Sequence, residues 1–304
     1  MGAQLRAVRQ RIRAIQSTAK ITRAQELIAS SRIIQAQQRV RASAPYAAEL
    51  TSAVEAVVSR SSQINHPLVN EPASAERVAV LILTSDRGFA GGYNANVLRE
   101  AQRLRGLLED ERGLAVQTYV RGTKGIGWHR FRDREVAGEW RGFSERPGPA
   151  NAAEIASAVL EAFEQPTAEG GVDEIHLVYT EFVSMLTQRP TVRRILPLEV
   201  QEVEEERHEG PIPPYEFEPS PQAVLDALLP WYVENRIYHA LLESAAAEIA
   251  ARRRAMKAAT DNANDLLEQF SREANKARQA EITQEISEIV GGANALAETI
   301  AGSE

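Results

Sequence analysis

The chain has 304 residues, 43% of them hydrophobic and 25% charged, enough for one large domain or two ordinary ones with a sizeable core. Without cysteine it can hold no disulfide framework or thiolate metal site and can use no cysteine catalysis or thiol switch, which favours a reducing compartment. The net charge of −7 is unevenly spread: residues 1–41 carry nine Arg and Lys against Glu26, and 199–218 carry eight Glu against Arg207.

The acid-free start, MGAQLRAVRQRIRAIQSTAK, mimics an organellar transit peptide, but the same helical pattern runs on beyond it without a processing-site break. Gly2 suggests myristoylation only superficially, because Arg6 stands where a hydroxyl residue is needed. A basic end is most often a solvated face, with nucleic acid or an acidic partner as rarer explanations. Leu5, Val8, Ile12, Ile15 and Ala19 recur at spacings of three and four, the pattern of one half of a coiled coil. The first proline after this seam is Pro45, where the helix is predicted to bend or end.

The middle of the chain changes character. Strand-like runs are predicted at 77–84, 114–121, 174–182 and 192–200, with helix-compatible stretches at 94–108 and 152–163. Strands that alternate with helices, two of them apolar on both faces, imply an α/β layer with a mostly parallel sheet. The acidic segment 202–221 holds five prolines and is predicted to be a loop or linker.

From Trp231 to Val290 there is neither Gly nor Pro, which permits a second long helix. Met256, Ala259, Ala263, Leu267, Phe270, Ala274 and Ala277 continue the coiled-coil rhythm. After a register slip so do Ile282, Ile286, Ile289, Ala293, Leu296 and Ile300. A seam this narrow needs a partner, and the economical partner for each terminal helix is the other, wound antiparallel. The longest apolar run, VAVLIL, is far shorter than the roughly 20 residues of a membrane-spanning helix, so no direct membrane insertion is expected.

The stretch Thr84 to Asn94, TSDRGFAGGYN, leaves the first strand-like run as a glycine-bearing loop, the place where many α/β proteins hold phosphate. Its glycines, Gly88, Gly91 and Gly92, fit neither GxGxxG nor GxxxxGK[ST]; a structural turn is the plainer reading, although free N–H groups leave an anion site geometrically open. His66, His129, His176, His208 and His239 show no metal-ligand spacing, and no GxSxG or HExxH occurs. The glutamates near 204 fit a solvated acidic loop better than a metal site. No catalytic residue, cofactor or metal is expected.

Four stretches nevertheless resemble the gamma subunit of the F-type rotary ATP synthases. KITRAQELIASSRI near the N-terminus resembles the family's KIT(K/R)A segment, and TSDRGFAGGYN resembles its DRG(L/F)xGGxN loop. Near the C-terminus, RRRAMKAATDNANDL and NKARQAEITQEISEIVGGANAL resemble its MKAATDNA and KARQxxITxEIxEI signatures. They follow the family's order from end to end. Gln25 stands where many members have Met, and Ala90 where many have Cys.

The resemblance implies an α/β fold plus a long antiparallel coiled coil of the terminal helices, with a Rossmann-like domain of mostly parallel sheet inserted between them. The expected division is a helix over 1–60, the α/β domain over 75–201, an acidic linker and foot over 202–221, and a helix over 222–304. It implies a non-catalytic rotor shaft whose partners are the alpha and beta subunits of a catalytic head, an epsilon subunit and a ring of c subunits, with no nucleic acid. The location implied is peripheral, on the cytoplasmic face of a bacterial plasma membrane. Arg252, Arg278, Gln279, Thr283 and Glu285 match positions that contact beta subunits. Gln25 and Met256 match the bearing region. Asp86, Arg87, Gly88, Tyr215, Phe217 and Glu218 match a foot near the ring and epsilon. Two other readings stand beside it: a coiled-coil tether with an α/β head, which shares the periodicity, and a nucleotide-dependent enzyme that uses the glycine loop.

Overall fold

The computed structural model describes residues 2–60, 75–198, 217–218 and 220–301. The chain divides into two compact units. One joins Met1–Ile28 to Arg254–Glu304, and the other is Ala29–Arg253.

Helix α1 spans Gly2–Arg60. Among its less exposed positions, 5, 8, 12, 15, 19, 22 and 26, then 29, 33, 36, 40, 43, 47, 50, 54 and 57, form a three-four alternation, widened by flanking positions such as 30, 32, 37, 51 and 56. That is one heptad seam along the whole helix. Of the two outcomes expected at Pro45, a bend or an end, the end does not occur, and the helix runs on through the proline. The proline lies on the exposed face, and the buried stripe passes Ser43, Ala47 and Leu50 in phase.

The α/β part of the second unit begins with strand β1, Arg77–Leu83. Then come helix α2, Tyr93–Gly106, which widens into a π turn at Leu107–Glu111, strand β2, Ala115–Arg121, and helix α3, Thr123–Arg130. Strand β3, Gly138–Trp140, helix α4, Pro149–Glu164, and the hairpin of β4, Glu174–Phe182, with β5, Gln188–Leu196, complete it. The sheet order is β3-β2-β1-β4-β5, parallel except for β5. Two corrections follow. The last strand lies four residues before the predicted 192–200, because it is set by the tight turn after Phe182. The elements α3 and β3 were not foreseen, being short and carrying glycines.

Strand alternation assigns the two faces. Val78, Val80 and Ile82 meet Val97, Leu98, Ala101 and Leu104 of α2. Ala79, Leu81 and Leu83 turn the other way, toward Ile155 and Val159 of α4. Helix α4 opens with Pro149 at its first turn, while the Asn151 side chain accepts the Gly148 N–H at 2.9 Å.

Helix α5 spans Pro221–Ala301, with Pro230 inside it on the exposed face. Leu225, Leu229, Val233, Ile237 and Leu241 join the α4-side core together with Leu50, Val54 and Val57 of α1. The sheet thus has α2 on one face, and α4 with the two long helices on the other. Further along α5, Ala246, Ile249 and Ala250 pack on Ala29, Ile33 and Ala36, small residues that let two helices approach closely.

In the other unit the terminal helices pair antiparallel. Thr22 and Thr260 share a 2.8 Å hydrogen bond, and the Arg11 guanidinium lies 6.0 Å over the Phe270 ring. Met256, Ala259, Ala263, Leu267, Phe270, Ala274 and Ala277 lie on the covered side. Given these pairings and equal rise, Gly2 falls opposite about residue 280. Past that point α5 has no partner among the described residues, and Ile282, Ile286, Ile289 and Val290 are 45%, 56%, 71% and 53% exposed. The expectation that these isoleucines belong to an intramolecular seam is therefore corrected: the first helix is too short to cover them.

Candidate functional site

The loop from Thr84 to Asn94 lies at the C-terminal ends of the parallel strands, where α/β folds place ligands. Here the chain's own carboxylate fills the anion position. Asp86 accepts hydrogen bonds from Thr123 N at 3.1 Å, Thr123 Oγ1 at 3.0 Å, Gly142 N at 2.9 Å and Ser144 N at 3.0 Å. Thr123 begins α3, so Asp86 sits where that helix N-terminus would attract an anion. Burial pushes its carboxyl pKa up, but the bonds from Ser144, Thr123 and Gly142 outweigh burial and hold it below the ordinary value.

The rest of the loop is equally committed. Ser85 N donates to Asn94 Oδ1 at 2.9 Å, and Asn94 Nδ2 returns a 2.8 Å bond to Ser85 Oγ. Thr84 Oγ1 donates to Arg121 O at 2.8 Å and accepts Gly125 N–H at 2.9 Å. Gly122, at φ +105°, has no room for a side chain: an added Cβ would lie 2.5 Å from Thr84 O. Gly91 turns the loop at φ +55°. These contacts make a structural turn, the plainer of the two readings.

The loop is fastened to α5 by a charge cluster. Arg252 donates to Gly88 O at 3.3 Å through Nη2, to Glu145 Oε1 at 2.9 Å and to Glu248 Oε1 at 2.7 Å. Glu145 also pairs with Arg32 of α1, with Arg87 at 3.8 Å. Tyr93 Oη donates to Ser244 O at 3.2 Å. Glu248 is fully buried, and its Oε2 finds no partner among the described residues. Burial raises its pKa, against the opposing pull of Arg252 and Arg121. Arg121, also fully buried, donates to Thr84 O and Ser144 O. The loops after β1 and β3 are thereby tied to both long helices by desolvated, charge-assisted bonds.

This cluster bears on two of the expected site assignments. Arg252, expected at a beta-subunit contact, is 7% exposed, and its donors serve Gly88, Glu145 and Glu248 of its own chain. Asp86, Arg87 and Gly88 also do not share a surface with Phe217 and Glu218. Gly88 meets α5 at Arg252, whereas Phe217 precedes the start of α5 at Pro221, about 46 Å of helix earlier at 1.5 Å per residue. Phe217 is half-buried against the α4-side core, and Glu218 is exposed. Tyr215 and the glutamates near 204 lie outside the described residues.

On the helical pair, Arg278, Gln279, Thr283 and Glu285 are all exposed, and neither Arg278 nor Glu285 makes an ion pair among the described residues. Helical spacing puts Arg278 and Glu285 on the stripe of Ile282 and Ile289, and Gln279 and Thr283 beside Ile286 and Val290. The result is a mixed apolar and polar face, a pattern that marks a surface covered by another protein. Met256 lies on the covered seam at 6% exposure, while Gln25 sits off it, exposed. The signal for the isoleucine face was present in the sequence as helix lengths, since the second helix outruns the first. Glu145, Glu248 and Arg121 carried no motif.

At the opposite end of the sheet, Glu174 accepts from His176 Nε2 at 2.8 Å and from Arg112 Nη1 at 3.0 Å. Burial pushes this carboxyl up, but His176 and Arg112 outweigh it and hold its pKa at about 2. No group of three or more acidic, His or Cys side chains suited to a metal occurs among the described residues.

These features, an α/β domain inserted between helices that pair antiparallel and end in an uncovered apolar face, describe an interaction subunit rather than a self-contained enzyme. Residues 4–296 match the ATP synthase family, and the chain belongs to it. It is 62% identical, over all of both chains, to the ATP synthase gamma chain of Acidothermus cellulolyticus, and 60% identical, again over all of both, to that of Thermobifida fusca. Among solved structures, a chain of the Euglena gracilis mitochondrial ATP synthase superposes with a TM-score of 0.68 at 16% identity, covering 97% of this chain and 95% of that one. A chain of the Tetrahymena thermophila central stalk and c-ring gives 0.57 at 23%, covering 79% and 99%. At such identities these two likenesses speak to the fold alone.

Proposed function

We propose that this chain is the rotating shaft of a membrane-associated ATP synthase, itself non-catalytic, which couples turning of a c-subunit ring to the state of catalytic sites on beta subunits. The observation that carries the reading is the uncovered face of α5, where Ile282, Ile286, Ile289 and Val290 stand among Arg278, Gln279, Thr283 and Glu285 with no partner helix among the described residues. The full-length likeness to ATP synthase gamma chains supports a covering partner from within such a synthase.

A shaft in a close sleeve must be slender and must not stick. Alanine along the paired seam keeps the helices close, and a single pair without threefold symmetry meeting a threefold head presents a different surface to each catalytic subunit. Rotation then shifts each site among its nucleotide-affinity states through differential contacts. Arg278, Gln279, Thr283 and Glu285 are the residues we assign to beta-subunit contacts. Gln25 and Met256 belong to the bearing region. Tyr215, Phe217 and Glu218 are assigned to the ring side, with Glu218 offering a carboxylate to basic loops. No described helix is long and apolar enough to cross a membrane, which suits a peripheral subunit held through partners at the cytoplasmic face.

The test is co-purification with alpha and beta subunits, followed by ATP hydrolysis with and without this chain. The reading requires a stable complex with raised, cooperative turnover. A chain that does not join the head, or joins it without effect on turnover, contradicts it.

A further inference from the structure

The end of α3 reads Trp128-His129-Arg130-Phe131-Arg132-Asp133-Arg134, and the shaft and the loop cluster make no use of it. Phe131 is 84% exposed. The half-buried Trp128 packs against the α2-side core and carries two guanidiniums, Arg132 at 4.1 Å and Arg134 at 5.3 Å from its ring centre. Arg132 also lies 5.9 Å from the Phe131 ring. Arg134 donates to Gln102 and Arg130 to Glu139, while Arg132 makes no ion pair among the described residues. The turn is closed by Arg132 N and Arg134 N, which both donate to His129 O, at 3.0 and 3.1 Å. Two like charges are therefore held on one indole, in a fixed turn, beside an exposed ring, and neither makes an ion pair with a carboxylate among the described residues.

We propose that this basic aromatic turn is a docking surface for a carboxylate-rich segment of a protein partner within the same complex. Arg is the residue whose planar fork takes carboxylates two bonds at a time, and stacking on Trp128 orients that fork before the partner arrives. Trp and Arg together dominate the strongest points of protein interfaces, and an ordered turn lowers the entropy cost of docking. The charge pattern also separates a protein from a bilayer. Asp133 and Glu139 lie among the arginines and would repel a uniformly anionic lipid surface, whereas a protein segment can meet both signs in register.

The proposal rests on the rotor reading for its complex, so the experiment separates the two. Phe131 is replaced by the photoreactive benzoylphenylalanine in the full chain, the assembled complex is purified, irradiated, and the adduct identified by mass spectrometry. The expected result is a cross-link to a subunit peptide bearing at least two nearby carboxylates. Arg132→Glu with Arg134→Glu should lower the yield about tenfold, the equivalent of about 1.4 kcal/mol, while the double Lys variant retains part of it. Melting temperature and subunit composition should match the parent. A lipid adduct, a protein adduct indifferent to charge reversal, or no adduct in an intact complex each overturns the docking surface and leaves the rotor reading standing. Failure of the parent chain to co-purify with any partner overturns both.

Discussion

Arg252→Ala should destabilise the isolated chain rather than merely weaken a partner contact. Glu248 is fully buried, has one oxygen with no partner among the described residues, and takes its ion pair from Arg252 at 2.7 Å. Glu145 keeps Arg32 and Arg87 when Arg252 is lost, so the cost falls mainly on Glu248. Breaking a buried pair from one side costs about 3–5 kcal/mol, and the lower end applies because Glu248 can escape by protonation. At roughly 2–3 °C per kcal/mol for a unit of this size, the melting temperature should fall by about 6–9 °C. The sign of the pH effect follows from the raised folded-state pKa of Glu248. Stability from such a group is present below the unfolded value and lost as pH rises through the folded one. Losing the arginine raises that folded pKa further, so the deficit against the parent should be larger at pH 8 than at pH 5. Adding Glu248→Gln should restore at least half the loss, read by circular dichroism melts in a double-mutant cycle. An unchanged melting temperature, or no rescue by Glu248→Gln, would refute the buried-cluster argument.

Other substitutions test other parts of the structure. The Glu174 carboxyl, held at about 2 by His176 and Arg112, contributes stability present above its ordinary pKa and lost as pH falls from there toward 2. Because Arg112 is 40% exposed, Glu174→Gln should cost only about 1–2 kcal/mol at pH 7 and almost nothing at pH 2, as measured by urea unfolding at both. Gly122→Ala should cost about 3 kcal/mol or prevent soluble expression, since the added methyl meets Thr84 O at 2.5 Å. Gly113→Ala, at φ +67° with open space around it, should cost about 1 kcal/mol, so equal losses would discredit the steric account. Replacing Ile282, Ile286 and Ile289 together by Ser should leave the melting temperature of the isolated chain within about 2 °C yet impair turnover of the assembled complex. A large drop in melting temperature would mean that the isoleucines are covered within the chain after all.

Periodicity made the terminal helices legible, and the unbroken apolar run at Val78–Leu83 made the central strand so. The reach of α1 past Pro45 followed from the family resemblance and not from the local proline rule, because a proline on an exposed face is tolerated when the buried stripe on either side stays in phase. The short α3 and β3 escaped for a different reason. Their glycines, Gly125 and Gly138, are there because Thr84 and the Tyr119–Trp140 stack approach too closely for a side chain, a tertiary demand that no local pattern records. The glycine loop could be denied a nucleotide motif from sequence, but the use of Asp86 as its internal anion depends on Gly142 and Ser144, more than 50 residues away. Arg252 was visible as an exposed-looking polar residue on a helix, and only its pairing with Glu145 and Glu248 reveals that it is buried.

The claim that this chain is a rotor is tested most directly by watching it turn. The sequence has no cysteine, so Asp110→Cys on the exposed π turn gives a single attachment point for a bead, away from the proposed contacts. With the alpha–beta head fixed to a surface, ATP should drive the bead around in one direction with three pauses per turn. A bead that stays still while the same complexes hydrolyse ATP would contradict the account.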